Sequence, residues 1–124
     1  MTERYQRHGL IDWFDQKKLR DARIVVVGAG AVGNEVLKNL TLLGVGHIHV
    51  FDFDQIEEHN LTRCVLFREA DIGQHKADVA ASSCRLIDPN VDILASNVDF
   101  WKGLSLREVA ETDAVVCCVD NFEA

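Results

Sequence analysis

The stretch "RIVVVGAGAVGNEVLKNLTLLG", residues 23 to 44, decides the fold. Ile24 to Val27 is a continuous β-branched run closed by Gly28, the pattern of a strand buried on both faces of a parallel sheet. Val32, Val36, Leu40 and Leu43 then recur at helical spacing, and Gly44 is placed to stop that helix. Between the two, Gly28, Gly30 and Gly33 stand in G-x-G-x-x-G register. Gly28 permits the tight turn, Gly30 lets the backbone approach a phosphate, and Gly33 lets the helix pack on the sheet. The helix N-terminus favours an anion there.

Reading onward, "HIHVFD" (47 to 52) is a second strand that ends on Asp52, about twenty residues past the glycine loop. An acid at that place accepts hydrogen bonds from ribose hydroxyls. A polar stretch of about twenty residues follows, long enough to be expected to carry function. After it, Ala77, Ala80, Ala81, Cys84 and Ile87 form the apolar stripe of a helix that Pro89 ends. "VDILASNV" (91 to 98) is a third strand and "AVVCCV" (114 to 119) a fourth. Ser105 and Glu108 between them form a capping-box signature, with Leu104 and Val109 as its hydrophobic staple. Ahead of the first strand, Asp12 to Arg20 can form a short helix, with Trp13, Phe14 and Leu19 available for packing.

Strands alternating with helices predict an α/β, Rossmann-like parallel sheet with helices on both faces, preceded by a short helical N-terminal arm. At 124 residues and 48% hydrophobic, residues 1–124 make one nucleotide-binding domain. The fourth strand is expected beside the first, and only "DNFEA" follows it, so the chain reads as the N-terminal part of a larger domain, poorly active alone.

Charge and cysteine content narrow the function. A net charge of −7 argues against a general nucleic-acid binder, and no apolar run approaches the ~20 residues that span a bilayer. Nor does the charged Met1 to His8 segment lead into a signal-peptide core. Cys64, Cys84, Cys117 and Cys118 include no C-x-x-C pair. Cys117 and Cys118, being neighbours on a strand, point to opposite faces and read as reduced packing residues of a cytoplasmic protein.

NAD, FAD and ATP all fit a glycine loop followed by a ribose-binding acid. The residues beyond that pair discriminate. A dinucleotide has no evident need for Asp54, Asn60, Arg63, Lys76 and Asp120 around the same crevice, whereas a triphosphate needs cations, and a carboxylate near a strand's C-terminal end can hold Mg²⁺. Taken singly, each has a plainer reading: Arg63 and Lys76 as solvated side chains, Asn60 as a turn residue or cap, Asp120 with Asn121 as a turn.

With these motifs in order, the sequence resembles the ubiquitin-activating enzymes and their relatives, the adenylyltransferases that activate sulfur-carrier proteins for molybdopterin and thiamine synthesis. The likeness runs through "RYQRHGLI", "GAGAVGNEVLKNLTLLGVG", "DFDQIEEHNLTR", "DIGQHKA" and "VDN", nearly the whole chain. It implies that Asp52 binds the ATP ribose, that Asn60, Arg63 and Lys76 contact the phosphates, and that Asp120 coordinates Mg²⁺. It also implies that Arg7 reaches into a neighbouring subunit's site, hence a homodimer or pseudo-dimer, and that Asp54 lies near the ATP and the incoming carboxylate. Three positions depart from the family pattern: Cys64 replaces a glutamine, His75 a proline and Ala31 a frequent glycine. The family's zinc-binding cysteine pairs and thioester cysteine, where present, fall beyond Ala124.

The reaction implied is adenylation of the C-terminal glycine carboxylate of a ubiquitin-like or sulfur-carrier protein. An NAD-dependent oxidoreductase module, a scaffold subunit without a working nucleotide site, and an ATP-dependent dehydratase of a modified tRNA base are the alternatives. His8, His47, His49, His59 and His75 have no acid at a telling spacing and read as surface or packing residues.

Overall fold

A computed structural model describes residues 3–119. Four parallel strands, β1 (Arg23–Val27), β2 (His47–Phe51), β3 (Asp92–Ser96) and β4 (Ala114–Cys117), form one sheet in the order β3-β2-β1-β4. Val27 sits opposite both Phe51 and Cys117, so the strands end level with one another where the glycine loop begins. This is the Rossmann-like architecture read from the sequence.

Before β1 runs α1 (Gln16–Asp21). It starts four residues later than expected, because Asp15 caps it by accepting from the Lys17 and Lys18 amides, and Trp13 is left exposed instead of packed. Leu19 does reach the core. Then α2 (Ala31–Leu43) and α3 (Lys76–Ile87) cover one face of the sheet, against Val26, Ile48, Val50 and Ile93. Gly44 ends α2 with φ 93°, a left-handed conformation that glycine adopts without a Cβ penalty. Asp88 ends α3 in extended conformation, as the residue before Pro89 must.

The buried face of α2 differs from the expected stripe. Val32 and Leu43 are exposed, while Gly33, Asn34, Leu37 and Thr41 point inward. A Cβ on Gly33 would stand 2.0 Å from the Gly28 carbonyl oxygen, so the helix can lie this close to β1 only with that side down. Its two polar residues are satisfied: Thr41 Oγ1 donates to the Leu37 carbonyl at 2.8 Å, and Asn34 is bonded as described below.

On the other face lie α4 (Phe100–Gly103), absent from the sequence reading, and α5 (Leu106–Glu111). Phe100 and Leu104 pack on Val25, Val27 and Phe51. Ser105 caps α5 by accepting from the Glu108 amide at 3.1 Å. The Glu108 carboxylate does not close the expected box. It turns to His49 on β2 instead, whose other ring nitrogen lies 2.7 Å from Ser96 Oγ. His49 therefore does have an acid partner, from a distant element that spacing along the chain could not reveal, as does His47, 3.1 Å from Asp92. β4 is an edge strand whose Cys117 is exposed, contrary to its expected packing role. Among the described residues, no helix is long and apolar enough to cross a membrane.

Candidate functional site: a nucleotide crevice at the carboxyl ends of the strands

The site is assembled by the turn after β1. Gly28 has φ 100°, which reverses the chain between strand and helix, and its N–H donates to the Phe51 carbonyl at 2.8 Å. Gly30 is the helix cap, and a Cβ built on it meets nothing within 4 Å. Its missing side chain thus leaves open space on the side away from the protein, where a phosphate can approach the backbone N–H groups.

Asp52 braces this turn. Its Oδ2 accepts from the Ala29 amide and its Oδ1 from the Asp54 amide, each at 2.8 Å, which fixes the carboxylate at the crevice edge with lone pairs to spare for ribose hydroxyls. Asp54 is largely exposed, and its backbone carbonyl accepts from the Lys76 amide at 3.0 Å. The Lys76 side chain is only 13% exposed, and its Nζ lies 3.9 Å from Asp54 Oδ2, an ion pair without a hydrogen bond.

The segment between β2 and α3 is ordered by short 3-10 turns and buries Ile56, Cys64, Leu66 and Phe67. Asn60 is nearly buried, and its Oδ1 caps the turn Glu58–Thr62 by accepting from the Glu57 amide at 2.8 Å, the plainer of its two readings. Arg63 is exposed and folds back on its own turn: its guanidinium donates to the His59 carbonyl at 3.0 Å and lies 3.3 Å from His59 Nδ1. Cys64 is buried in the apolar core, within reach of the charges of Lys76, Arg63 and Asp52. Burial pushes its thiol up, against the opposing pull of the lysine and the arginine. It is a packing residue beneath the crevice and no exposed nucleophile.

Asp120 lies outside the described residues. Among the described residues no group of three or more His, Cys, Asp or Glu side chains could hold a metal ion.

Arg7 stands apart. The arm around it is bonded to the far ends of the helices: Tyr5 Oη donates to Asp88 Oδ2 at 2.6 Å, Arg4 to the Ile87 carbonyl at 3.0 Å, and Gln16 Nε2 to the Leu43 carbonyl at 2.7 Å. The glycine loop opens the N-terminus of α2, and Leu43 closes it. Thirteen residues at ~1.5 Å each separate the two by about 20 Å, so Arg7 is remote from the crevice of its own chain.

One site residue escaped the sequence reading. Asn34 is fully buried; its Nδ2 donates to the carbonyls of Ala29 and Gly30, both at 2.9 Å, and its Oδ1 accepts from the Leu66 amide at 2.9 Å. Its one available signal was its place beside Gly33, three and seven residues before Leu37 and Thr41 on the inward face.

A parallel sheet with a glycine turn, a buried-edge acid and a half-paired lysine at its carboxyl end defines a nucleotide-binding Rossmann-like domain. The chain belongs to the ThiF family, which it matches over residues 4–124. It is 43% identical to ubiquitin-activating enzyme E1 2 of Arabidopsis thaliana over 88% of its length, and 37% identical to the SAMP-activating enzyme E1 of Haloferax volcanii over 97%. It spans 11% and 46% of those two proteins. Escherichia coli MccB, solved with ATP, superposes with a TM-score of 0.85 at 32% identity, covering 99% of this chain and 39% of MccB.

Proposed function

We propose that this chain is the ATP-binding part of an adenylyltransferase that activates the C-terminal glycine carboxylate of a ubiquitin-like or sulfur-carrier protein. The observation that carries the reading is Lys76. A largely buried ammonium whose carboxylate partner is beyond hydrogen-bond distance is costly, and a phosphate in the crevice would offset that cost. ATP, which the solved MccB holds, and the carrier proteins named for the ubiquitin- and SAMP-activating relatives fit the same chemistry.

In the reaction, a carboxylate oxygen of the carrier bonds to the α-phosphorus of ATP and the bond to the bridging oxygen breaks. Acyl-adenylate and pyrophosphate result. No enzyme nucleophile is required, so the rate comes from alignment and from charge held on the phosphates. Asp52 seats the ribose; the amides around Gly28, Gly30 and Gly33, with Lys76, receive the phosphates. Arg63 joins them once its guanidinium leaves His59, a small cost because those bonds are exposed. Asn60 acts chiefly by holding the turn that carries Arg63. Asp54 lies where the incoming carboxylate approaches. Asp120 is the acid we assign to Mg²⁺, which supplies charge neutralisation on the phosphates when bound.

Because Arg7 is remote from its own crevice, we place it in the crevice of a second subunit, in a dimer or pseudo-dimer. The free cysteines suit a reducing cytoplasm. Carrier-dependent exchange of pyrophosphate into ATP tests the proposal on the intact enzyme: exchange that falls at least about a hundredfold in Lys76→Ala and Arg63→Ala supports it. Exchange indifferent to both substitutions overturns the assigned roles.

A further inference from the structure

The buried carboxamide of Asn34 lies between two segments that the proposed reaction must hold at a fixed separation. On one side it grips the glycine loop through the carbonyls of Ala29 and Gly30. On the other it accepts the amide of Leu66, three residues after Arg63. Leu66 is itself a junction, since its carbonyl accepts from Ser83 Oγ on α3 at 2.8 Å. The Arg63 segment is thus tied to α2 through Asn34 and to α3, the helix that begins with Lys76, through Ser83. Asp52 extends the same frame by holding the amide of Ala29, whose carbonyl Asn34 takes.

The geometry leads us to propose that Asn34 is a positioning residue for triphosphate binding, setting the glycine loop and the Arg63 segment at the spacing that lets both grip one phosphate chain. This inference rests on the ATP reading of the crevice. Both amide hydrogens and the carbonyl of Asn34 are used in well-formed bonds at 0% exposure, so the frame has no water-accessible substitute if one is lost. Alignment of phosphate-binding groups is sensitive to displacements of the order of an ångström. A side chain that never touches the nucleotide therefore controls its affinity.

Asn34→Ser discriminates best. A serine hydroxyl on a helix can bond back to the carbonyl four residues earlier, here Gly30, but it is too short to reach Leu66. Thr41→Val is the control: it removes a buried hydroxyl on the same face of α2, near the helix's far end. Each protein is checked for folding by circular dichroism, the Leu66 amide is followed by hydrogen exchange, and Mg·ATP is titrated by calorimetry. The expected result is faster Leu66 exchange and at least about tenfold weaker ATP binding in Asn34→Ser, with wild-type affinity in Thr41→Val. Should Asn34→Ser fail to fold, Ser83→Ala releases the other tie on Leu66 and is expected to weaken ATP binding in the same direction. Wild-type affinity in a folded Asn34→Ser whose Leu66 amide exchanges faster overturns the inference alone, as does equal weakening in Thr41→Val. A wild type that fails to bind Mg·ATP overturns the reading of the site as well.

Discussion

The Asp52 carboxylate holds the Ala29 amide at 2.8 Å, so the acid at the end of β2 and the glycine turn after β1 form a single unit. Replacing Asp52 with alanine strands that amide, which lies in a partly buried setting, and removes the ribose acceptor at once. Asp52→Ala is expected to lose about 1–3 kcal/mol of stability by chemical denaturation. It should also weaken Mg·ATP binding at least about tenfold at temperatures where it remains folded. Loss of stability with unchanged affinity would leave Asp52 as a purely structural brace.

Gly30 and Gly33 separate two uses of glycine. Alanine at Gly33 would press its Cβ to 2.0 Å from the Gly28 carbonyl oxygen, and Gly33→Ala is expected to cost at least about 3 kcal/mol or to prevent folding. Alanine at Gly30 meets no protein atom within 4 Å. Gly30→Ala should therefore lose only about 1 kcal/mol, through the poorer helix cap that alanine makes, yet bind Mg·ATP at least about tenfold more weakly if a phosphate occupies that space. Unchanged binding would place the phosphates elsewhere.

The arm that carries Arg7 has a pH window. Burial pushes Tyr5 up to about 12, with the Asp88 hydrogen bond and charge adding to the rise. Burial would raise Asp88 too, but the bonds from Tyr5 and the Asn90 amide and the charge of Arg4 outweigh it and hold the carboxyl below its usual range. A lowered acid lends stability above its unfolded pKa that disappears as pH falls through the folded value. A raised phenol lends stability below its unfolded pKa that disappears as pH rises toward about 12. The docking contributed by this pair should thus be full near neutrality and vanish at both extremes. Tyr5→Phe should lose about 1–3 kcal/mol at pH 7 and flatten both limbs of the stability profile measured by denaturant titration. A profile with the same limbs in Tyr5→Phe would assign them to other groups.

Thiol labelling reads the packing. Cys117 is exposed, whereas burial raises Cys64 and Cys84 and keeps both from solvent. At pH 7.5 a maleimide reagent should modify Cys117 first, and Cys64 and Cys84 only at the rate of unfolding. Prompt modification of Cys64 with the fold intact would mean that the floor of the crevice opens.

Much of this architecture was legible in the sequence because its signals are local. The β-branched run before Gly28, the three glycines and Asp52 each report on their own turn or strand, and they found β1, α2 and β2 in the right order. The side of α2 that faces inward was not legible. Counting apolar residues favoured Val32 and Leu43, while the actual face follows from the contact of Gly33 with Gly28 and the bonds of Asn34 across the fold. For the same reason spacing pairs Glu108 with Ser105 as a capping partner, whereas His49 on β2 claims its carboxylate. Phe100 to Gly103 follows Asp99 at the cap position, but that side chain makes no capping bond, and the single turn is helical where Phe100 packs on the sheet. In the crevice, the types of Arg63 and Lys76 were readable, but not that one is parked on His59 and the other is largely buried.

Calorimetric titration of the protein with Mg·ATP and, separately, with NAD tests the central claim most directly. The account predicts saturable binding of Mg·ATP, weakened at least about tenfold by Lys76→Ala (about 1.4 kcal/mol), and no comparable binding of NAD. Tight NAD binding without an ATP signal, or ATP binding indifferent to Lys76→Ala, would contradict it.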